Sequence, residues 1–224
     1  MTIQKGRAIH LLWLLVFPVL GFTYAYLNKP TGVVMDFGIV IDDVIPMIPI
    51  FVIPYIIWYV YILCYLIYFC FKDTRVYKHT LLTIVIGEII CFICYIFFQS
   101  TVARPSVEGN GMLLMLMQFI YGNDEPYNCL PSIHVLTTYA IMLASVHIRR
   151  KHIINAGFIQ IMGVLIILST LFTKQHVVVD AIVSILLVSV IYSAMVGLSI
   201  QYKLKIAKEK VALKTPIHKK GALR

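Results

Sequence analysis

Six apolar runs, each close to the length of a membrane-spanning helix, fill most of this chain and limit what it can fold into. They cover about 8–27, 51–71, 80–98, 131–148, 153–172 and 178–200. A helix needs roughly 20 apolar residues to cross the hydrocarbon of a bilayer. Only 13% of the 224 residues are charged, where a soluble domain carries about 25%. The mean hydropathy is +0.89. The expectation is an all-α, polytopic membrane protein: six transmembrane helices in one bundle over 1–202, then a basic tail over 203–224. The first run follows Lys5 and Arg7. It is long for the apolar region of a signal peptide, and no small-x-small cleavage pattern follows, so it reads as an uncleaved first helix.

Charge gives the orientation. All but Lys29, Arg104 and Lys174 of the 19 basic residues fall before helix 1, between helices 2 and 3, between helices 4 and 5, or in the tail. With six crossings these positions share one side. Basic loops are cytoplasmic, so both termini are expected inside, at a cell membrane. The tail suits anionic lipid headgroups. Without interleaved aromatics it does not suggest a nucleic-acid partner.

The cysteines carry little. Cys91-Phe-Ile-Cys94 has CxxC spacing but falls inside an apolar run, as do Cys64 and Cys70, so all four read as core filler. Cys129 is the one thiol near the polar motifs described next. Glu88, deep in the third run, has both a structural and a functional reading.

Two histidines interrupt the apolar pattern in polar company: Pro131-Ser132-Ile133-His134 and His176-Val-Val-Val-Asp180. In a six-span chain both motifs, with Arg104-Pro105, fall on the outer side. Pro131 and Ser132 suit the opening of a helix, whose first N–H groups and dipole attract an anion. His134 projects from the same turn. His176 and Asp180, at i and i+4, share a helix face. Asp180 can fix the His176 tautomer and leave Nε2 as a nucleophile. Arg104 supplies a planar fork for phosphate oxygens, and Lys174 can reach the same anion. The set points to chemistry on a phosphorylated lipid. Haem ligation by the histidine pair fits the carboxylate poorly. Zinc wants a third close ligand, and none is evident. No cofactor or metal is expected. His10, His79, His147, His152 and His218 lack such company and read as structural. Residues 112–121 read as a short amphipathic helix lying on the bilayer, walling a path for lipid.

These three motifs resemble those of the type 2 phosphatidic acid phosphatase superfamily: Lys-x6-Arg-Pro, Pro-Ser-Gly-His, and Ser-Arg-x5-His-x3-Asp. Arg104-Pro105, Pro131-Ser132-x-His134 and Ser169-x6-His176-x3-Asp180 match in order and spacing over 99–180. The resemblance implies a six-helix catalytic domain with an extracytoplasmic site. It makes His176 the nucleophile on phosphorus and Asp180 its orienting partner. His134 becomes the acid for the leaving oxygen, then the base for the acceptor. Arg104 and Ser132 become phosphate ligands. Phe97 stands where the family has Lys, Thr170 where it has Arg, and Ile133 where it has Gly. Lys174 and Gln99 are the candidates to replace the missing donors. Thr173-Lys174-Gln175-His176 and the bulky residue before His134 look more like the inositol phosphorylceramide synthase branch. The expected activity is a lipid phosphatase working through a phosphohistidine. Headgroup transfer between lipids is the first alternative, and a non-catalytic lipid transporter or lipid-binding protein the second. The acid–base role of His134 implies a bell-shaped pH profile. Substrate identity and oligomeric state are not encoded in these motifs.

Overall fold

The computed structural model of the chain describes residues 6–148 and 152–214. Lys5, Arg149, Arg150, Lys151 and the end of the tail from 215, His218 included, lie outside the described residues. Five helices are long and apolar enough to cross a membrane. They are α1 (Gly6–Leu27), α3 (Pro49–Lys72), α4 (Thr74–Phe97), α7 (Ile153–Phe172) and α8 (Val178–Lys214). A short α2 (Val40–Val44), α5 (Met112–Asn123) and α6 (Ile133–Val146) complete the helices. The chain is an all-α membrane protein. Among the described residues the β-structure is a two-residue parallel ladder, β1 (Met35–Asp36) on β2 (Ser100–Thr101), which ties the segments that leave α1 and α4, and an isolated bridge between Thr101 and Tyr127.

The α6 helix forms the axis of the bundle and packs against α3, α4, α7 and α8. Val135, Leu136, Ala140, Ile141 and Ala144 on it are fully buried. At about 1.5 Å per residue its 14 residues span about 21 Å, short of the ~30 Å hydrocarbon thickness. The apolar run over 131–148 therefore yields a shorter helix than its length suggests. Pro131 and Ser132 precede it in extended backbone, and other helices rather than lipid surround it. By contrast α1 is exposed or half-buried along its length, with Leu20 its one buried residue among those described, and packs chiefly on α4.

Two helix limits differ from the apolar runs. Asp73 is the only residue between α3 and α4. Its N–H donates to Phe69 O (2.8 Å), and its carboxylate accepts from the Arg75 and Val76 N–H groups (3.1 and 3.4 Å). That cap starts α4 at Thr74, six residues before the apolar run at 80, because polar residues at an interface remain helical when capped. Likewise α8 continues through the expected boundary at 202 to Lys214. At about 1.5 Å per residue it is about 55 Å long, so its C-terminal turns extend past its neighbours. The "tail" is thus partly a continuation of the last helix.

At one end of the bundle Arg7 donates to Phe71 O, Tyr77 Oη donates to His10 O (2.7 Å), and Lys78 lies over the Trp13 ring (5.2 Å). The opposite end gathers the N-termini of α3, α6 and α8, the C-termini of α1, α4 and α7, and the polar motifs.

Candidate active site

The link between α7 and α8 positions the second histidine. Lys174 N–H donates to Leu171 O and Gln175 N–H to Thr170 O, each at 3.0 Å. This is a Schellman ending, and Lys174 takes its left-handed position at φ +55°. His176 N–H also donates to Thr170 O (3.1 Å). His176 therefore precedes α8 rather than sharing a helix face with Asp180, which corrects the i, i+4 reading. Their contact has another origin. Val177 caps α8, and Asp180, at the third helical position, accepts the Val177 N–H (3.1 Å), half of a capping box. The same oxygen, Oδ2, lies 3.1 Å from His176 Nδ1. Asp180 is buried, and its Oδ1 has no hydrogen-bond partner among the described residues.

His134 is the second residue of α6. Its ring stacks on Tyr55 (centroids 4.5 Å apart), lies against Trp58 (4.0 Å) and stands 6.1 Å from the His176 ring. Trp58 is itself anchored by Nε1 donating to Thr137 Oγ1 (2.8 Å). The His134 Nε2 is buried with no partner among the described residues. Residues 42 apart in sequence are thus brought ring to ring.

Two cavities meet here. One, about 990 Å³, runs between α1, α3, α4, α5 and α6. Its walls are mostly apolar, with Phe17, Leu20, Ile62, Leu116 and Phe119 among them, and His134, Asp124 and Glu88 face it. The other, about 440 Å³, is the more polar of the two, with Asp36, Asp42, Asp43, Arg104 and Lys174 in its lining. Among the described residues His176 alone lines both.

The remaining expected ligands divide. Lys174 lines the polar cavity, and its Nζ donates to Asp42 O (2.8 Å). Arg104 reaches that cavity too, yet it does not present a free fork. Its Nη1 donates to Asp124 O, its Nη2 to Glu125 O (3.4 Å) and Gln175 Oε1, and its guanidinium covers the Tyr121 ring (4.9 Å). Its Nε alone is buried without a partner. Ser132 caps α6, its Oγ accepting the Val135 N–H (3.3 Å). Ser132 is fully buried and lines neither cavity, so its oxygen serves the helix before any ligand.

Gln99 does not join the site. Its Oε1 accepts from Thr31 N–H and Oγ1 (2.9 and 3.1 Å), and its Nε2 donates to Lys29 O and Asn128 Oδ1 (2.8 and 3.0 Å). All four bonding directions of the amide are used within the loops that leave α1 and α4. Thr170, where the resembled family has Arg, is buried and bonds back to Ile167 O (2.8 Å).

Sequence reasoning missed two participants, Asp124 and Asp42, and placed a third, Cys129, only as a thiol near the motifs. Asp124, read as a turn residue, accepts from Tyr24 Oη (2.7 Å), Asn28 Nδ2 (2.8 Å) and Tyr55 Oη (3.5 Å) at the wall of the apolar cavity. Asp42 Oδ1 accepts the Val178 N–H (2.9 Å), so a carboxylate of α2, 136 residues away in sequence, occupies the start of α8. Cys129 packs beside Val102 and Val177; burial pushes its thiol well above the ordinary range, Asp180 adding to the shift and Arg104 opposing it. No local pattern announces these contacts, because each spans 69 or more residues or depends on a loop path. No known protein family, curated protein or solved structure matches this chain.

Proposed function

We propose that the protein is a membrane lipid phosphatase, hydrolysing a lipid phosphomonoester or diphosphate through a phosphohistidine, without a metal. The observation that carries this reading is the position of the histidine pair: His176, backed by Asp180, lies between a polar and an apolar cavity, and His134 faces the apolar one. A lipid phosphate has the same two-part character. Its chains fit the apolar chamber. Its phosphoryl group fits beside His176 on the side of Lys174 and the Arg104 Nε. Both Phe119 and Leu116 of α5 wall the chamber, in keeping with the lipid path read from 112–121.

The chemistry follows. Asp180 holds the Nδ1 proton of His176, so Nε2 carries the lone pair. Nε2 attacks phosphorus as the P–O bond to the lipid breaks. The leaving oxygen departs toward the chamber, where His134 gives it a proton. Neutral His134 then takes a proton from water as the water oxygen attacks phosphorus and the P–N bond breaks, releasing phosphate and restoring His176. The site resembles that of type 2 phosphatidic acid phosphatases in its residue types and order. On this reading α6 is a sixth crossing, short because the bundle sheathes it. The basic end of the bundle is cytoplasmic, both termini lie inside, and the site opens at the outer leaflet of the cell membrane.

One observation favours headgroup transfer as the second reading. His134 is sandwiched by Tyr55 and Trp58 and faces the apolar chamber, where a lipid hydroxyl competes well with water as acceptor.

The test is phosphate release by purified protein in EDTA from phosphatidic acid, phosphatidylglycerophosphate, a prenyl diphosphate and a phosphoinositide, with H176A alongside. Release from one lipid that vanishes in H176A supports hydrolysis. Release from none of them, with labelled headgroup appearing on added diacylglycerol or ceramide, replaces hydrolysis by transfer. Binding or flux of lipid that survives in H176A, with no chemistry, points to a transporter or lipid-binding protein.

A further inference from the structure

The third ligand that sequence reasoning could not supply for zinc is present. One donor atom from each of Cys129, His176 and Asp180 lies within 4.8 Å of the others. Two of these residues, Cys129 and Asp180, are 2% and 1% exposed, and the Asp180 Oδ1 has no hydrogen-bond partner among the described residues. A buried carboxylate oxygen without a donor is costly, and it is the kind of atom a cation satisfies. Among the described residues the Cys129 thiol makes one weak hydrogen bond, Sγ to Pro126 O at 3.8 Å. Sulfur, imidazole and carboxylate around one point make a borderline-soft donor set, suited to zinc rather than to magnesium or calcium. Zinc–ligand bonds are about 2.0–2.3 Å, so a contraction of the cluster by about 1 Å would seat the ion. His134, 6.1 Å from His176 ring to ring, is left outside the cluster, and a fourth position remains for water or an anion.

We propose that a zinc-class divalent cation binds between Cys129, His176 and Asp180 and inhibits the enzyme. The inhibitory part rests on the phosphohistidine reading above; the binding part does not. Binding releases the Cys129 thiol proton to solvent and draws Asp180 from its hydrogen bond with His176 onto the ion. A ring nitrogen of His176 becomes a ligand, so the imidazole loses the orientation that attack on phosphorus needs. This does not make zinc a cofactor: the ion takes the nucleophile out of use.

Cobalt titration of the purified, full-length protein tests binding without recourse to activity. Wild type is expected to bind one Co²⁺ with a thiolate-to-cobalt charge-transfer band in the near ultraviolet. C129A and C129S should both lose the band, the serine variant keeping the side-chain volume. D180N should bind at least tenfold more weakly. No band in wild type, or a band that persists in C129A, overturns the site. Inhibition is read separately, as the zinc concentration that halves each variant's own rate in chelator. A tenfold or greater rise in C129S supports the inhibitory role, and equal sensitivity overturns it. If no lipid yields phosphate, the cobalt result still decides the site, so the two failures are distinguishable.

Discussion

A histidine in a loop is a poor nucleophile until something fixes its tautomer, and in the proposed mechanism that task falls to Asp180. The carboxylate accepts the Val177 N–H and lies 3.1 Å from His176 Nδ1, so one group both caps α8 and orients the ring. D180N can still present an oxygen to both the Val177 N–H and the imidazole, but it removes the carboxylate charge that supports an imidazolium. Turnover is expected to fall on the order of 10²–10⁴-fold with little change in thermal midpoint; an unchanged kcat would remove Asp180 from the mechanism. Lys174 is a sharper case because backbone and side chain can be separated. Its φ of +55° suits glycine, and a side chain there costs about 1–2 kcal/mol. K174G should therefore be more stable than K174A by about 1 kcal/mol and unfold at a higher temperature, while both lose the ammonium group and most phosphate release. Full turnover in K174G would show that the side chain does not serve the anion. The sequence named His134, His176, Asp180 and Lys174 through local motifs, since each sits in a run that a reader can count. Gln99 and Ser132 were misjudged for the converse reason: their bonds go to Thr31, Lys29, Asn128 and the α6 backbone, and nothing local shows a polar group already satisfied.

At the scale of helices, α7 lies against α6 through Gly163. A Cβ there would fall 2.4 Å from Met142 Sδ, 2.5 Å from its Cγ and 3.2 Å from Tyr61 Oη. Small residues let membrane helices approach closely, and G163A is expected to cost about 1–3 kcal/mol by overpacking. Gly157, on the same helix, has nothing within 4 Å of its Cβ position. G157A should be neutral or stabilising by up to about 1 kcal/mol. Thermal unfolding of the two variants in one detergent checks the pair, and equal midpoints would mean that α6 and α7 do not pack this closely. Hydropathy located every long helix because burial in lipid imposes one simple rule on composition. It misplaced the ends of α4 and α8 because a capping Asp73 and interfacial lysines extend helices without adding apolar residues. It overestimated α6 because a helix wrapped by four others need not match the bilayer's thickness. The two-residue ladder of β1 and β2 lies below anything periodicity can reveal.

For the whole molecule, the end-to-end asymmetry carries the functional reading. One end holds Arg7, Lys72, Arg75 and Lys78. The other holds both histidines and the carboxylates Asp36, Asp42, Asp43 and Asp124 around two cavities. The sequence foresaw this separation from loop charges alone, because adjacent spans alternate direction. It did not foresee the cavities, the larger of which is walled by residues of α1, α3, α4, α5 and α6. The asymmetry makes a prediction that does not depend on any reaction. Glu108 and Lys203 are both exposed and lie on opposite sides in a six-crossing chain. In intact cells E108C should react with a membrane-impermeant maleimide, whereas K203C should react only after the membrane is opened. The native cysteines are a mild background, since Cys129 is buried and the other four lie in membrane helices. Labelling of both positions in intact cells would place them on one side, so the number of crossings between them would be even rather than three. The α6 helix would then not count as a span, and the two histidine motifs would open on opposite faces of the membrane, unable to share one phosphate.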